Sequence, residues 1–93
     1  QWGNQQSSQI FIISPQYEAI ANAINEEAHR GVTLMDGKGW YTKSESKIVM
    51  VVCRKRDASG ILKIARRIDE RAFITMGSVM GVYGKGFDAL SKL

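Results

Sequence analysis

The stretch at residues 47–55, KIVMVVCRK, constrains the fold more than any other part of the chain. From Ile48 to Cys53 every residue is apolar, without the polar alternation of a strand that has one wet face. Such a strand belongs in the middle of a sheet, where both of its faces need cover. A shorter run of the same kind, QIFII at 9–13, supplies a second central strand.

The intervening segments read in order. Ser14 is placed to cap a helix, and Pro15 suits its first position because no needed N–H is lost there. Tyr17, Ile20, Ala21, Ile24 and Ala28 then form one helical stripe, with Glu18, Asn22, Asn25 and Glu26 elsewhere. Gly31 is expected to end this helix, and His29 and Arg30 complement its C-terminal dipole. His29 is read as a helix-end residue, not a catalyst or ligand. VTLM at 32–35 opens a strand that runs into DGKGWYT, and the polar KSES makes a turn into KIVMVVCRK. Asp57 or Ser59 caps a second helix with Ile61, Ile64, Ala65 and Ile68 on one face. AFITM at 72–76 begins a last strand, where Gly77 and Gly81 suggest a bulge or bend. FDALSKL at 87–93 is read as a short helical turn or frayed end.

The order β-α-β-β-α-β predicts an α+β, ferredoxin-like two-layer sandwich with an antiparallel sheet in the order 4-1-3-2. That order puts strands one and three in the centre, and these are the two runs without alternation. The expected boundaries are a linker or remnant at 1–8, the domain at 9–88 and a tail at 89–93. Because residue 1 is Gln1 and QWGNQQSSQ is polar and patternless, the chain is expected to be a piece of a longer protein.

The composition, 44% hydrophobic and 24% charged, is that of a soluble domain, and no run approaches the roughly 18 apolar residues of a membrane span. No leader pattern marks it as secreted. The single cysteine, Cys53, lies inside the apolar run and is read as a buried thiol, in keeping with a reducing intracellular location. Residues 30–56 hold seven basic against two acidic side chains, a net +5, so the rest of the chain sums to −1. A positive centre favours an anionic partner there.

Gly-Lys-Gly-aromatic occurs twice, at 37–40 and at 84–87. Glycine weakens a strand, so each pair asks for a reason. On the predicted sheet the motifs occupy strands two and four, the two edges. With the edges taken to run parallel, both motifs approach one end, ~14 Å apart across three inter-strand steps. Copies joined edge to edge would then bring them together. Because helices cover one sheet face, the second apolar set on the central strands leaves a patch that needs a partner. A homo-oligomer is expected.

The chemistry is narrowed mostly by exclusion. A Walker loop needs Gly-Lys-Ser/Thr, and Trp40 follows the first Gly-Lys-Gly instead; a dinucleotide fingerprint would open a helix rather than a hairpin. The lone His29 has no evident carboxylate or nucleophile partner, and no His, Cys or Asp cluster has metal spacing, so neither an enzyme nor a metal or cofactor site is expected. An RNA-recognition motif needs aromatics on its central strands, which KIVMVVCRK lacks, so specific nucleic-acid binding is disfavoured.

RGVTLMDGKGWYT, RRIDERAFIT and the closing GKGF together resemble the small domain of unknown function found at the C-terminus of YitT-type bacterial membrane proteins. The resemblance covers about residues 10–87. This chain departs from the family pattern at Lys43, where glycine is usual, and at Glu70, where proline is frequent. The resemblance implies a preceding membrane portion and a domain on the cytoplasmic side; it supplies no activity. The family is similar in layout to ACT and PII-like regulatory domains, which bind small effectors at their interfaces.

Two readings follow. In the first, a regulatory module binds a small anionic effector, with a nucleotide as one form, at subunit junctions. Arg30, Thr33, Gly37, Lys38, Gly39, Tyr41 and Thr42 would come from one edge, and Gly84, Lys85, Gly86 and Phe87 from the other. In the second, the same residues only pack, and the domain oligomerises to cluster the membrane portions.

Overall fold

The computed structural model describes residues 6–84. They form β1 (Ser7–Ile13), α1 (Tyr17–Ala23) continued by a π-helical turn (Ile24–Ala28), β2 (Thr33–Lys38), β3 (Glu45–Arg54), a 3-10 turn (Lys55–Asp57), α2 (Ala58–Ile68) and β4 (Phe73–Val79). The sheet order is β2-β3-β1-β4 with every neighbouring pair antiparallel. This is the expected 4-1-3-2 order read from its other edge.

The two runs without alternation are the central strands. On the helix side, Ile10 and Ile12 of β1 and Val49, Val51 and Cys53 of β3 are fully buried against Ile20, Ile24, Ile61 and Ala65. Each such isoleucine or valine contributes about 1.5–3 kcal/mol by leaving water. Burial also pushes the Cys53 thiol above its ordinary range, so it stays protonated and inert. On the opposite face Phe11, Ile13, Ile48, Met50 and Val52 are only half-buried, and no helix among the described residues lies over them.

One expectation about the edges is overturned. β2 pairs antiparallel with β3, β3 with β1, and β1 with β4. Three reversals make β2 and β4 run in opposite directions. The cause is the pair of crossover helices: α1 links β1 to a parallel β2 and α2 links β3 to a parallel β4, while β1 and β3 oppose each other. The end of β2, at Lys38, therefore lies beside the start of β3 at Glu45, whereas the end of β4, at Val79, lies beside Ser7 at the start of β1. The first Gly-Lys-Gly and the end of β4 therefore lie at opposite ends of the sheet.

Several local signals resolve differently from their sequence reading. β1 takes in Ser7 and Ser8, two residues of the segment expected as a linker. Ser14 closes a turn ahead of α1: its Oγ accepts from the Gln16 N–H at 2.9 Å and donates to Asp69 Oδ2. Pro15 thus lies in the turn, and Gln16 holds the cap position. The first helix is ended by His29, which adopts the left-handed conformation at φ 56°, ψ 44°, so Gly31 is not the stop. Asp57 precedes α2 as expected but makes no side-chain cap bond, because its carboxylate is taken by Arg30. The β1–β4 register runs unbroken through Gly77, which rules out a bulge there. The short helical turn or frayed end expected at 87–93, with the tail at 89–93, lies outside the described residues.

Candidate functional site

The first Gly-Lys-Gly belongs to the β2–β3 hairpin. Its loop closes by two backbone bonds, Gly39 N–H to the Ser44 carbonyl at 2.9 Å and Lys43 N–H to the Gly39 carbonyl at 2.8 Å. The geometry needs a left-handed residue, and Lys43 fills that place at φ 61°. Neither Gly37 nor Gly39 has positive φ; both are accounted for by space. A Cβ on Gly37 would stand 3.0 Å from Ile48 Cδ1, and one on Gly39 would stand 2.8 Å from Thr42 Oγ1. That hydroxyl is already engaged with Ser44 Oγ at 2.8 Å. The glycines serve close approach, which leaves the intervening lysine as the residue with chemistry to spare.

Beneath the hairpin base, between the start of α1 and the β2–β3 edge, lies a cleft of about 860 Å³. Ser14 and Tyr17 line one wall, and Gly37, Lys38, Glu45 and Lys47 line the other. Lys47 donates to Asp36, and that carboxylate holds the ammonium above its ordinary range. Lys38 stands across from Glu45 in the ladder but makes no ion pair with it, nor with any other described residue. The Tyr17 phenol likewise has no hydrogen-bond partner among the described residues. A cation outside any ion pair and an unspent O–H donor therefore line a half-open cavity in which Lys47 and Asp36 neutralise each other and Glu45 adds one negative charge.

The remaining predicted residues divide by position. Gly37 and Lys38 line the cleft, while Gly39, Tyr41 and Thr42 belong to the loop above it. Thr33 is the exposed first residue of β2, five residues from Lys38, a spacing of ~17 Å. Arg30 lies at that far end of the sheet, buried and ion-paired with Asp57 at 2.7 Å. It lines a separate cavity of about 530 Å³ with His29, Arg56 and Ser59. Gly84 comes five residues after the end of β4, outside the strand expected to carry it, with φ 137°. Lys85, Gly86 and Phe87 lie outside the described residues. No single subunit gathers the eleven expected residues into one site.

Sequence reading missed the far wall of the cleft. Tyr17 was assigned to the core stripe, and it does pack against the core, but its ring also reaches the cavity. Asp36 and Lys47 were legible as a cross-strand pair once the hairpin register was set. Among the described residues no group of three His, Cys, Asp or Glu could hold a metal ion.

This arrangement of four antiparallel strands under two helices defines a ferredoxin-like α+β domain. Residues 30–84 match the family described as "Uncharacterized protein conserved in bacteria (DUF2179)", and the chain belongs to that family. It is 39% identical over 83 residues to the UPF0750 membrane protein YxkD of Bacillus subtilis (strain 168), covering 89% of this chain and 30% of that protein. It is 25% identical over 74 residues to the UPF0750 membrane protein YitT of the same organism, covering 80% of this chain and 26% of that protein. The chain thus spans about a third or less of these relatives. A crystal structure of a DUF2179 protein from Eubacterium ventriosum superposes with TM-score 0.68 at 25% identity, covering 76% of this chain and 97% of that one. The YitT-type resemblance read from the three motifs holds, as does the fold. No helix among the described residues is long and apolar enough to cross a membrane.

Proposed function

We propose that this domain is a non-catalytic effector sensor held on the cytoplasmic side of a bacterial membrane protein. It would bind a small anion-bearing metabolite in the cleft beside the first Gly-Lys-Gly. The observation that carries the reading is the pairing of an unengaged Lys38 with the Tyr17 phenol across that cavity. Lys38 supplies the charge, Tyr17 a donor and a ring face, and the absence of a side chain on Gly37 keeps the floor low. Because Asp36 and Glu45 share the rim, one negative group is accommodated better than a polyphosphate chain. A nucleoside monophosphate is preferred over a triphosphate on this ground.

The test is a thermal-shift screen of nucleotides, inorganic phosphate and anionic metabolites against the wild-type chain, Lys38→Ala and Tyr17→Phe. A compound that raises Tm of the wild type and fails with Lys38→Ala supports the assignment. Stabilisation that survives Lys38→Ala places the ligand elsewhere and defeats it.

A second reading, self-association, is favoured by the half-buried Phe11, Ile13, Met50 and Val52 on the sheet face away from the helices, and by Phe73, 63% exposed at its edge. Two copies meeting through this face would cluster the attached membrane portions. Sedimentation of wild type beside Met50→Asp, at the centre of the face, decides it. A wild-type chain that stays monomeric across the concentration range removes this reading.

A further inference from the structure

The tip of the β2–β3 hairpin is not needed by the cleft below it. Trp40 is 83% exposed and Tyr41 is 96% exposed, and neither belongs to the core or packs against it. They are adjacent, and they project from the sheet end where the ladder has already closed at Gly39 and Ser44. Between Lys38 and Ser44 the sequence carries two positive side chains and no negative one. Trp and Tyr with flanking lysines are the composition of the membrane–water boundary, where an aromatic body sits among headgroups and its polar edge stays hydrated.

The tip is also held in shape before it meets anything. The Lys43 ammonium lies 3.1 Å from the Trp40 ring centroid. The Thr42 and Ser44 hydroxyls are bonded to each other, and the Ser44 N–H donates to Thr42 Oγ1 at 3.3 Å. A preorganised loop loses little conformational freedom on docking. Lys43 lies over one face of the Trp40 ring, and insertion edgewise into a headgroup layer leaves that cation among the lipid phosphates.

We propose that this tip is a membrane-contact element, which seats Trp40 and Tyr41 in the headgroup layer of an anionic bilayer with Lys38 and Lys43 on the lipid phosphates. The inference rests on the reading that the domain is held beside a membrane, but it does not depend on the cleft having a ligand. Effector and bilayer would compete for Lys38, so occupancy of the cleft would loosen the tip from the surface.

The experiment uses the 93-residue chain with Trp2→Phe, so that Trp40 is the sole indole. It is titrated with phosphatidylcholine vesicles and with mixed phosphatidylcholine–phosphatidylglycerol vesicles, at low and high salt. The expected result is a blue shift of Trp40 emission and co-sedimentation with the anionic vesicles alone, both reversed by salt. Lys38→Ala and Lys43→Ala should each weaken co-sedimentation about fivefold, from the attraction of one lysine to an anionic surface. Trp40→Ala with Tyr41→Ala should weaken it about tenfold, from partial burial of the two rings. Lys38→Ala should leave Tm unchanged, Lys43→Ala and the aromatic pair should lower it only through the lost ammonium–ring contact, and any Tm rise caused by a soluble anion should survive the aromatic pair and vanish in Lys38→Ala. Emission that does not move with anionic vesicles overturns the proposal, as does equal binding by the aromatic pair variant. Vesicle binding without any soluble-anion effect would keep the contact element and remove the effector reading. A soluble-anion effect without vesicle binding would do the reverse.

Discussion

Lys43 offers a direct test of how the hairpin is built. A non-glycine residue in the left-handed region costs roughly 1–2 kcal/mol, and glycine there costs about 0.5–1 kcal/mol through its freer unfolded chain. Lys43 sits at φ 61°, so replacing it by glycine should recover about 0.5–1 kcal/mol relative to any other side chain at that place. Against this stands the contact of its ammonium with the Trp40 ring, worth about 0.5–1 kcal/mol at an exposed site. Lys43→Ala loses the ring contact and keeps the strained backbone, whereas Lys43→Gly loses the contact and relieves the strain. The expected order is wild type and Lys43→Gly within about 0.5 kcal/mol of each other, with Lys43→Ala about 0.5–1 kcal/mol below them. In a domain of this size that deficit lowers Tm by roughly 2–8 °C, readable by calorimetry or by urea unfolding followed through circular dichroism. Glycine is ordinarily the worse choice at an exposed site. Lys43→Ala matching or exceeding Lys43→Gly would therefore refute the conformational account of this loop. Glycine at this position would ease the backbone, where this chain holds a cation over tryptophan.

Three further outcomes are expected. Arg30→Ala should destabilise the domain by about 2–3 kcal/mol in urea unfolding, since a buried guanidinium is lost and Asp57 remains; Arg30→Ala with Asp57→Ala should cost less than the two single changes added together. The Ser14 hydroxyl, followed by the Arg71 N–H, holds the Asp69 carboxyl below its ordinary range, so this contribution is complete above the unfolded carboxylate value and fades as pH falls through the folded one. The stability gap between wild type and Ser14→Ala should accordingly be level near neutrality and narrow in acid, and a gap that widened on acidification would contradict the assignment. Cys53, buried with its thiol held protonated, should react with a disulfide reagent only at the rate of unfolding, and prompt native-state labelling would show that strand β3 is less covered than described.

Much of the architecture was written in local patterns. A six-residue apolar run such as Ile48 to Cys53 tolerates only an interior strand, and the stripes led by Ile20 and by Ile61 tolerate only helices lying on it, so element order and sheet order followed. Caps and turns were less legible. Ser14, His29 and Lys43 each took roles fixed by backbone angles or by a partner far along the chain, as when Ser14 meets Asp69 across 55 positions.

Strand identity follows from side-chain periodicity, which is local, but the mutual direction of two edges depends on every pairing between them. That count of reversals put the end of β4 and the first Gly-Lys-Gly at opposite ends of the sheet, while the extended length of β2 keeps Arg30 away from Lys38. The fold also brought Tyr17 and Lys38 onto one cleft, although they stand 21 positions apart and helix α1 intervenes. Sequence alone determined which surfaces would be apolar and which segments would turn. Only the closed tertiary structure decided which of the polar groups would share a cavity, because proximity across a sheet is set by the pairing of strands and not by the residues that wait at their ends.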